Sequence, residues 1–460
     1  MQNESPLFLG LDGGTQSLKA VVIDSAGAPV CERSLTYDNE LPAYGTHGGV
    51  HRGSDGLTVT APPLMWADAL DALLSRLRAD GAPMDRIAAV SGSAQQHGSV
   101  FLRAGLARRF RRLDPGRRLA LQLEGLFAVS ESPTWMDGST SRQCRQRDAA
   151  LGGPQAVAEL TGSRSTERFT GNQIAKLFQK RPEAYRRTAR IALVSSFFAS
   201  LLIGDNAPLE PGDGAGMNLM DIRAQRWAPE ALACTAPGLA RKLGPLVPSH
   251  MDIGPIAPYF VARHGFSPRA RVIAFSGDNP NSLAALRLER PGDVAVSLGT
   301  SDTIFGALAR PIPSAVEGHI FGNPIEPRGF MALLCFQNGS RTREAAREAF
   351  AGGAWARFNR ALRSTPPGNG GRLGFFFTDP EITPPIQAPG SYCFDADDRP
   401  VPAFPNAAAV RAVVEGQFLS LRRHSGALGL VPRKLLATGG ASVNPYLLQI
   451  LADVFGVPVH

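Results

Sequence analysis

The apolar positions near the N-terminus alternate in a way that predicts a β-hairpin. Leu7-Phe8-Leu9-Gly10-Leu11 runs into Asp12-Gly13-Gly14-Thr15, and Leu18 to Ile23 forms a second apolar run. The pattern recurs in the second half, where Asp293-Val294-Ala295-Val296-Ser297-Leu298 meets Gly299-Thr300-Ser301 and Asp302-Thr303-Ile304-Phe305 comes next. Each copy reads as two strands joined by a Gly-Thr turn. Backbone N–H groups in such a bend form a concavity suited to an anion. One such turn alone is most simply a hairpin. Neither copy is a Walker A loop or a Gly-x-Gly-x-x-Gly fingerprint. Two copies, one per half, predict two like domains closing on one polyphosphate.

Between these hairpins, strand and helix periods alternate, which predicts an α/β architecture. Leu64, Ala67, Leu70, Leu73, Leu74 and Leu77 fall at helical spacing within 63–78. Ile87 to Val90 reads as a strand entering the polar turn Ser91-Gly92-Ser93-Ala94-Gln95-Gln96-His97-Gly98. The longest apolar run, Ile191 to Ile203, reads as one buried helix and is too short to span a bilayer. Glycine and proline crowd 245–258, predicting a boundary between domains 1–252 and 253–460. A fresh strand, Val272 to Phe275, leads into Ser276-Gly277-Asp278-Asn279-Pro280. Helical pattern then covers 341–363 and 407–428, with a Pro/Gly-rich excursion at 366–405. A strand at 435–437 ends in Thr438-Gly439-Gly440-Ala441-Ser442, and a helix starts near Pro445.

A chain of 460 residues exceeds what one hydrophobic core usually organises, in keeping with two domains. With 43% hydrophobic and 19% charged residues, the composition is that of an ordinary globular protein. Met1-Gln2-Asn3-Glu4-Ser5-Pro6 shows no signal-peptide pattern. Cys31, Cys144, Cys234, Cys335 and Cys393 are dispersed without metal-ligand spacing, which predicts reduced cytoplasmic thiols. The net charge of +8 is partly local: Arg103, Arg108, Arg109, Arg111, Arg112, Arg117 and Arg118 face only Asp114 in that stretch. Lysine occurs only at 19, 176, 180, 242 and 434, so the arginine excess runs through the whole chain. A solvated surface excursion is therefore the favoured reading of 103–118, ahead of a nucleic-acid patch.

Asp278-Asn279 is the leading candidate for the reacting centre. A carboxylate directly after an apolar strand can accept a proton from a hydroxyl nucleophile. The same pair also suits an Asx turn capping a helix from Ser282, and the two readings are compatible. Gln95-Gln96-His97 sets three hydrogen-bonding side chains in a row, apt for a polyhydroxylated ligand; no partner at ligand spacing makes His97 a metal ligand. Arg168 lies in the polar string Ser165 to Gln173, which also fits an ion pair or a helix start. Asp213-Gly214-Ala215-Gly216-Met217-Asn218 lacks the spacing of a calcium loop and reads as a tight turn. Glycines at 439 and 440 would let a ring or ribose approach the backbone.

Taken in order, these strings resemble the FGGY family of carbohydrate kinases over nearly the whole chain. The Gly-Thr turns are shared with the wider actin-like ATPases. Gln95-Gln96-His97-Gly98-Ser99 and Glu167-Arg168-Phe169-Thr170-Gly171-Asn172-Gln173 are closest to the eukaryotic-type xylulose kinases of that family. The resemblance implies two actin-like (ribonuclease H-like) domains flanking a catalytic cleft, the first binding sugar and the second nucleotide. It implies ATP-dependent phosphorylation of a ketose, D-xylulose foremost, with ribulose or another polyol as the alternative substrate. The alternative outside catalysis is an actin-like nucleotide-binding regulator. Asp278 is implied as the base, with His97, Arg168, Asp278 and Asn279 on the sugar and Asp12 positioning Mg2+. Gly14, Thr15, Gly299, Thr300 and Ser301 are implied along the phosphates, and Trp355, Gly439, Gly440, Ala441 and Asn444 around the adenosine. Trp135-Met136-Asp137 matches a stretch near the sugar. The expected partners are ketose and ATP in the cytoplasm, with no nucleic acid or membrane and with room for a homodimer. Members of the family continue past Val457-Pro458-Val459 through another helix, so the sequence reads as cut short at its C-terminus.

Overall fold

Leu7, Leu9 and Leu11 are buried while Phe8, Gly10 and Asp12 are partly open, the period-2 signature of a half-covered strand. In the computed structural model, which describes residues 5–460, this strand (Leu7–Gly13) pairs antiparallel with Ser17–Ile23, so the first hairpin forms as expected. The reading of the extreme N-terminus rests mainly on residues 1–4 and lies outside the described residues.

Leu7–Gly13 also pairs in parallel with Ile87–Ala94, with Asp12 opposite Ser93 and Gly13 opposite Ala94. Ser276–Gly277 joins the other side of Ile87–Ala94, again in parallel, with Ser276 opposite Ser93. The sheet runs Asp252–Pro255, Arg271–Ile273, Ile87–Ala94, Leu7–Gly13, Ser17–Ile23, Pro29–Thr36. Helix Pro63–Ala79 starts with proline at its first turn, where no N–H is needed, and buries Met65, Trp66, Leu70, Leu73, Leu74 and Leu77 in the core of this unit.

The chain divides into two compact units, one of residues up to Ser282 plus Phe321–Arg328, the other of Leu283–Ile320 and Gly329–His460. The Pro/Gly-rich stretch at 245–258 lies inside the first, because the strands at 252–255, 271–273 and 276–277 all extend its sheet.

The 191–203 run is not one helix. Arg190–Leu193 is a strand paired with Ser99–Leu102, and only Val194–Ile203 is helical. A short apolar run carries no period that tells a buried strand from a buried helix, and pairing decided it. Among the described residues no helix is long and apolar enough to cross a membrane.

In the second unit the sheet order is His319–Gly322, Phe330–Phe336, Asp302–Leu308, Asp293–Leu298, Lys434–Thr438. The second hairpin forms with Leu298 opposite Asp302. The helical pattern at 341–363 splits into Ser340–Ala351 and Trp355–Ser364, because Gly352 and Gly353 take positive φ between them. Helices Asn406–Ala427 and Pro445–Phe455 match expectation. The excursion at 366–405 contains a three-stranded sheet of Leu373–Phe377, Gly390–Phe394 and Pro400–Val401. Beyond the last helix, Leu435 N–H donates to Pro458 O and His460 N–H to Leu435 O, both at 2.9 Å, in parallel beside Lys434–Thr438.

One buried ion pair ties this unit together. Arg343, on helix Ser340–Ala351, donates to both oxygens of Asp302 at 2.7 and 2.9 Å, and both side chains are almost fully buried. Arg343 also donates to Gln417 Oε1 and Ser340 Oγ. Arg343→Met should cost about 3–5 kcal/mol by leaving Asp302 buried without its partner. Arg343→Met/Asp302→Leu should recover part of that loss. Urea unfolding followed by the fluorescence of Trp355, the single tryptophan of this unit, measures both; equal stability of the two variants would show that the pair is not the brace.

Candidate active site

The register of the first sheet sets the site. Asp12, Ser93 and Ser276 stand level on adjacent parallel strands. The segments leaving the C-terminal ends of these strands therefore gather at one end of the sheet, where α/β sheets ordinarily bind ligands. Asp12 accepts a hydrogen bond from Ser93 Oγ at 2.7 Å. Gln95 N–H donates to Gly13 O at 2.9 Å, which holds the Gln95-Gln96-His97 segment beside the first Gly-Thr turn.

His97 adopts φ +69°, in the left-handed region, and is buried. Its Nδ1 lies 2.9 Å from Gly216 O, so that nitrogen carries the proton. Its ring stacks on Phe169 at 4.4 Å between centroids, and Thr170 Oγ1 donates to His97 O at 2.9 Å. Phe169 and Thr170 open helix Thr170–Lys180. Arg168 sits just ahead of them, half-buried, in no ion pair among the described residues.

Asp278 is the first residue of helix Asp278–Ala285, so the helix expected from Ser282 starts four residues earlier. Its Oδ1 accepts from Asn279 N at 2.9 Å and Asn279 Nδ2 at 3.1 Å, while the same Nδ2 donates to Gln96 Oε1 at 2.9 Å. Sequence-predicted His97, Asp278, Asn279 and Asp12 are thus linked through neighbouring strand ends. The Asp278 carboxyl is pushed up to about 6, first by desolvation and then by the charge of Asp12.

Two acids at this site were not predicted. The segment at 213–218, expected to be a tight turn, starts as a short helix, Pro211–Ala215, and turns only at Asn218, where φ is +54°. Glu210 caps that helix, accepting from Asp213 N at 3.1 Å, and also accepts from Ser276 Oγ at 2.6 Å. Asp213 accepts from Ser195 Oγ at 2.5 Å, while its Oδ1 is buried without a partner beside Gly277 and Gln96. Burial, then the charges of Glu210 and Asp278, push Asp213 to about 8; burial also raises Glu210. The one sequence signal was Glu210-Pro211 followed by Asp213, an acid and a proline placed as at a helix start.

The first turn is braced from several sides. Trp135 Nε1 donates to Thr15 Oγ1 at 2.8 Å and Tyr37 Oη to Gly14 O at 3.3 Å. Asp137 instead accepts from Gln173 Nε2 at 2.9 Å and Val59 N at 3.1 Å, which is structural.

In the second unit, Gly299, Thr300, Trp355, Gly440, Ala441 and Asn444 line one cavity of about 590 Å³. Ser301 and Gly439 do not line it. Gly439, at φ +84°, has its Cα so close to strand Asp293–Leu298 that a Cβ would sit 2.6 Å from Leu298 O. That contact holds the 439–442 turn against the Gly-Thr turn. Asn444 has structural work as well: it caps helix Pro445–Phe455 through Tyr446 N at 3.0 Å and donates to Asn359 at 2.8 Å. Trp355 is 40% exposed, with Arg347 over its ring at 4.8 Å.

Comparison with known proteins places these features in a family. Residues 128–285 match the N-terminal domain of the FGGY family of carbohydrate kinases and residues 294–460 its C-terminal domain. The chain is 51% identical to a xylulose kinase of Mus musculus over 455 residues, covering 98% of this chain and 82% of the mouse protein. It is 45% identical to xylulose kinase 2 of Arabidopsis thaliana, covering 99% of this chain and 84% of the plant protein. A xylulose kinase structure from Rhodospirillum rubrum superposes with a TM-score of 0.81 at 18% identity, over 98% of this chain and 86% of that one. That likeness bears out the expected fold of two actin-like domains.

The buried acid at 213 has a stability signature. The unfolded chain gives up this proton near 3.8 and the folded chain only near 8. Folded stability therefore falls as pH rises between those values and levels off above 8. Asp213→Asn keeps an acceptor for Ser195 and cannot ionise. Relative to the parent, it should gain at least about 1 kcal/mol between pH 5 and pH 8. Melting temperatures of both proteins across that range provide the check; a constant difference would mean that Asp213 keeps no proton in the fold.

Proposed function

Because the chain belongs to the FGGY family of carbohydrate kinases, we propose that it transfers the γ-phosphoryl group of ATP to the terminal hydroxyl of D-xylulose, giving D-xylulose 5-phosphate. The observation that carries this reading is the linked set of Asp278, Asn279, Gln96 and His97 at one sheet end, in a chain half identical to xylulose kinases.

In this reading Asp278 takes the proton of the attacking hydroxyl. A carboxyl raised to about 6 is mostly ionised at neutral pH, yet more basic than an ordinary aspartate. Asn279, held by Gln96, keeps Asp278 oriented and offers polar contacts to the sugar, with His97 and Arg168. Phosphoryl transfer needs little covalent work from the protein, so orientation and charge stabilisation dominate. The first unit then supplies the sugar ligands and the second the nucleotide seat: Gly299 and Thr300 at the phosphates, Trp355 and the 440–444 turn at the adenosine. Ser301 and Gly439 act from beside that cavity, and Gly14 and Thr15 belong to the phosphate path of the first unit.

A magnesium ion fits the donors present. Asp12 has one oxygen engaged by Ser93 and lies near enough to Asp278 for its charge to be felt there. Among the described residues no group of three or more His, Cys, Asp or Glu is placed to hold a metal. Magnesium in kinases commonly takes one or two carboxylates and completes its shell with phosphate oxygens and water. Asp12 would hold it, and the ion would supply charge neutralisation at the phosphates. The five cysteines form no disulfide, in keeping with a cytoplasmic location.

Asp278→Asn should lower turnover about 10²- to 10⁴-fold while ATP still binds. In the parent, kcat/KM should fall as pH drops below about 6, because the base becomes protonated. Near-normal turnover in the variant would remove Asp278 as the base. A panel of ketoses and polyols, read by sugar-dependent ADP release, tests the substrate; ribulose or a polyol outperforming xylulose would reassign it, and no sugar dependence would favour a regulator.

His97→Ala and Arg168→Ala should raise KM for the ketose by about tenfold or more with KM for ATP little changed. Gly299→Val should do the reverse, because a side chain there obstructs close approach of a phosphate to the backbone. Circular dichroism establishes folding of each variant first. A defect in ATP use alone at His97 and Arg168 would overturn the division of labour.

A further inference from the structure

The arginines of 103–118 converge instead of spreading along a face. Arg103, Arg108, Arg109, Arg112 and Arg117 line one cavity of about 520 Å³, together with Gln122. Strand Ser99–Leu102 runs out into Arg103, helix Leu106–Phe110 carries Arg108 and Arg109, and helix Leu119–Leu123 carries Gln122. Leu106, Phe110, Leu119 and Leu123 anchor these helices in the core of the first unit. None of these residues belongs to the candidate active site.

Convergence on one cavity separates this cluster from the arginine-rich remainder of the chain. Some surface arginines elsewhere meet acids, as in Arg33–Asp80, Arg271–Asp252 and Arg76–Glu40. Among the described residues, none of the five lining arginines has an ion pair, and no acidic side chain lines the cavity. Of the nearby acids, Asp68 pairs with Arg118, Asp71 pairs with Arg263, and Asp114 accepts from the N–H of Gly116 at 2.8 Å, while Glu124, next to the lining residue Gly125, does not line the cavity. Arg103 Nε is buried without a hydrogen-bond partner. The Gln122 amide is fixed by the carbonyls of Asp114 and Arg117, both at 3.0 Å, and Arg109 donates to Gln122 O at 3.1 Å, so the wall is rigid. Gathered like charges without counter-charge destabilise the folded state, and a multivalent anion relieves them. Guanidinium forks match phosphate oxygens in particular.

The volume is that of a small-molecule site. Phe110, the aromatic of the segment, is buried in the core and offers no platform on which a base could stack. We propose that this cavity binds a small polyanion carrying two or more phosphate groups. Strand Ser99–Leu102, which leads into Arg103, begins two residues after His97, so the ligand would sit at the far end of a segment shared with the proposed sugar site.

Pyrophosphate is the probe, titrated calorimetrically into the full chain at about 0.15 M salt, where diffuse attraction is screened. Arg111 and Arg112 are adjacent and both exposed, yet only Arg112 lines the cavity. Arg112→Ala and Arg108→Ala should each weaken pyrophosphate binding about tenfold, and Arg111→Ala should leave it within about twofold. KM for ATP and ketose should not change in any of the three. Pyrophosphate lodged in the nucleotide seat would ignore all three substitutions, so equal affinity throughout overturns the proposal. An equal loss at Arg111 and Arg112 would mean a general surface field, and also overturns it. So does a single-stranded oligonucleotide that binds more tightly than pyrophosphate and responds to the same substitutions.

Discussion

The parallel pairing of Ile87–Ala94 with a strand on each side is the constraint on which the site depends. Asp12, Ser93 and Ser276 are level because Leu7–Gly13 and Ser276–Gly277 flank that strand in matched register. Asp12, the Gln95–His97 segment and Asp278-Asn279 come from distant parts of the sequence, and this register brings them to one sheet end. A one-residue slip would turn Leu9 and Leu11 out of the core and Asp12 away from Ser93. The core and the candidate site are therefore specified by one register, and burial of Leu7, Leu9, Leu11 and Val90 holds these side chains in place.

That register assembles an unusually acidic interior. Asp278, Asp213 and Glu210 are all raised by burial, and the hydroxyls of Ser195 and Ser276 offset only part of the cost. The environments are graded. Asp278 keeps part of its surface open and sits near 6, while Asp213 is enclosed and sits near 8. At neutral pH Asp278 is thus mostly ionised while its neighbour Asp213 holds a proton, an arrangement that avoids three adjacent buried charges.

The second unit solves a different problem with a related device. Its hairpin also lies beside a parallel strand, Lys434–Thr438, so the Gly299-Thr300 turn and the 439–442 turn share a sheet end. Here backbone proximity matters more than side-chain charge: Gly439 presses on Leu298, and Ser340 N–H donates to Gly299 O at 2.8 Å. The buried Arg343–Asp302 pair clamps the strand just after the turn to the helix that closes it from the other side.

Local periodicity determined much of this protein. The two hairpins with their Gly-Thr turns, the helices at 63–79, 406–427 and 445–455 and the strand at 434–438 were all legible, because each rests on residues close together in the chain. The two-domain kinase fold was legible as well, through strings whose order and spacing are distinctive. Tertiary structure alone decided the rest. Ile191–Leu193 became a strand because Ser99–Leu102 was there to pair with it, and Gly352-Gly353 broke a helix whose apolar rhythm ran straight through them. Glu210, Asp213 and Ser195 entered the acidic interior, and five arginines of one segment turned toward a common cavity, without any local signature. The physical reason is the same in each case. A side chain's pKa, its partners and its access to a ligand depend on which distant segments surround it, and that neighbourhood is fixed by sheet register and core packing, not by spacing along the chain.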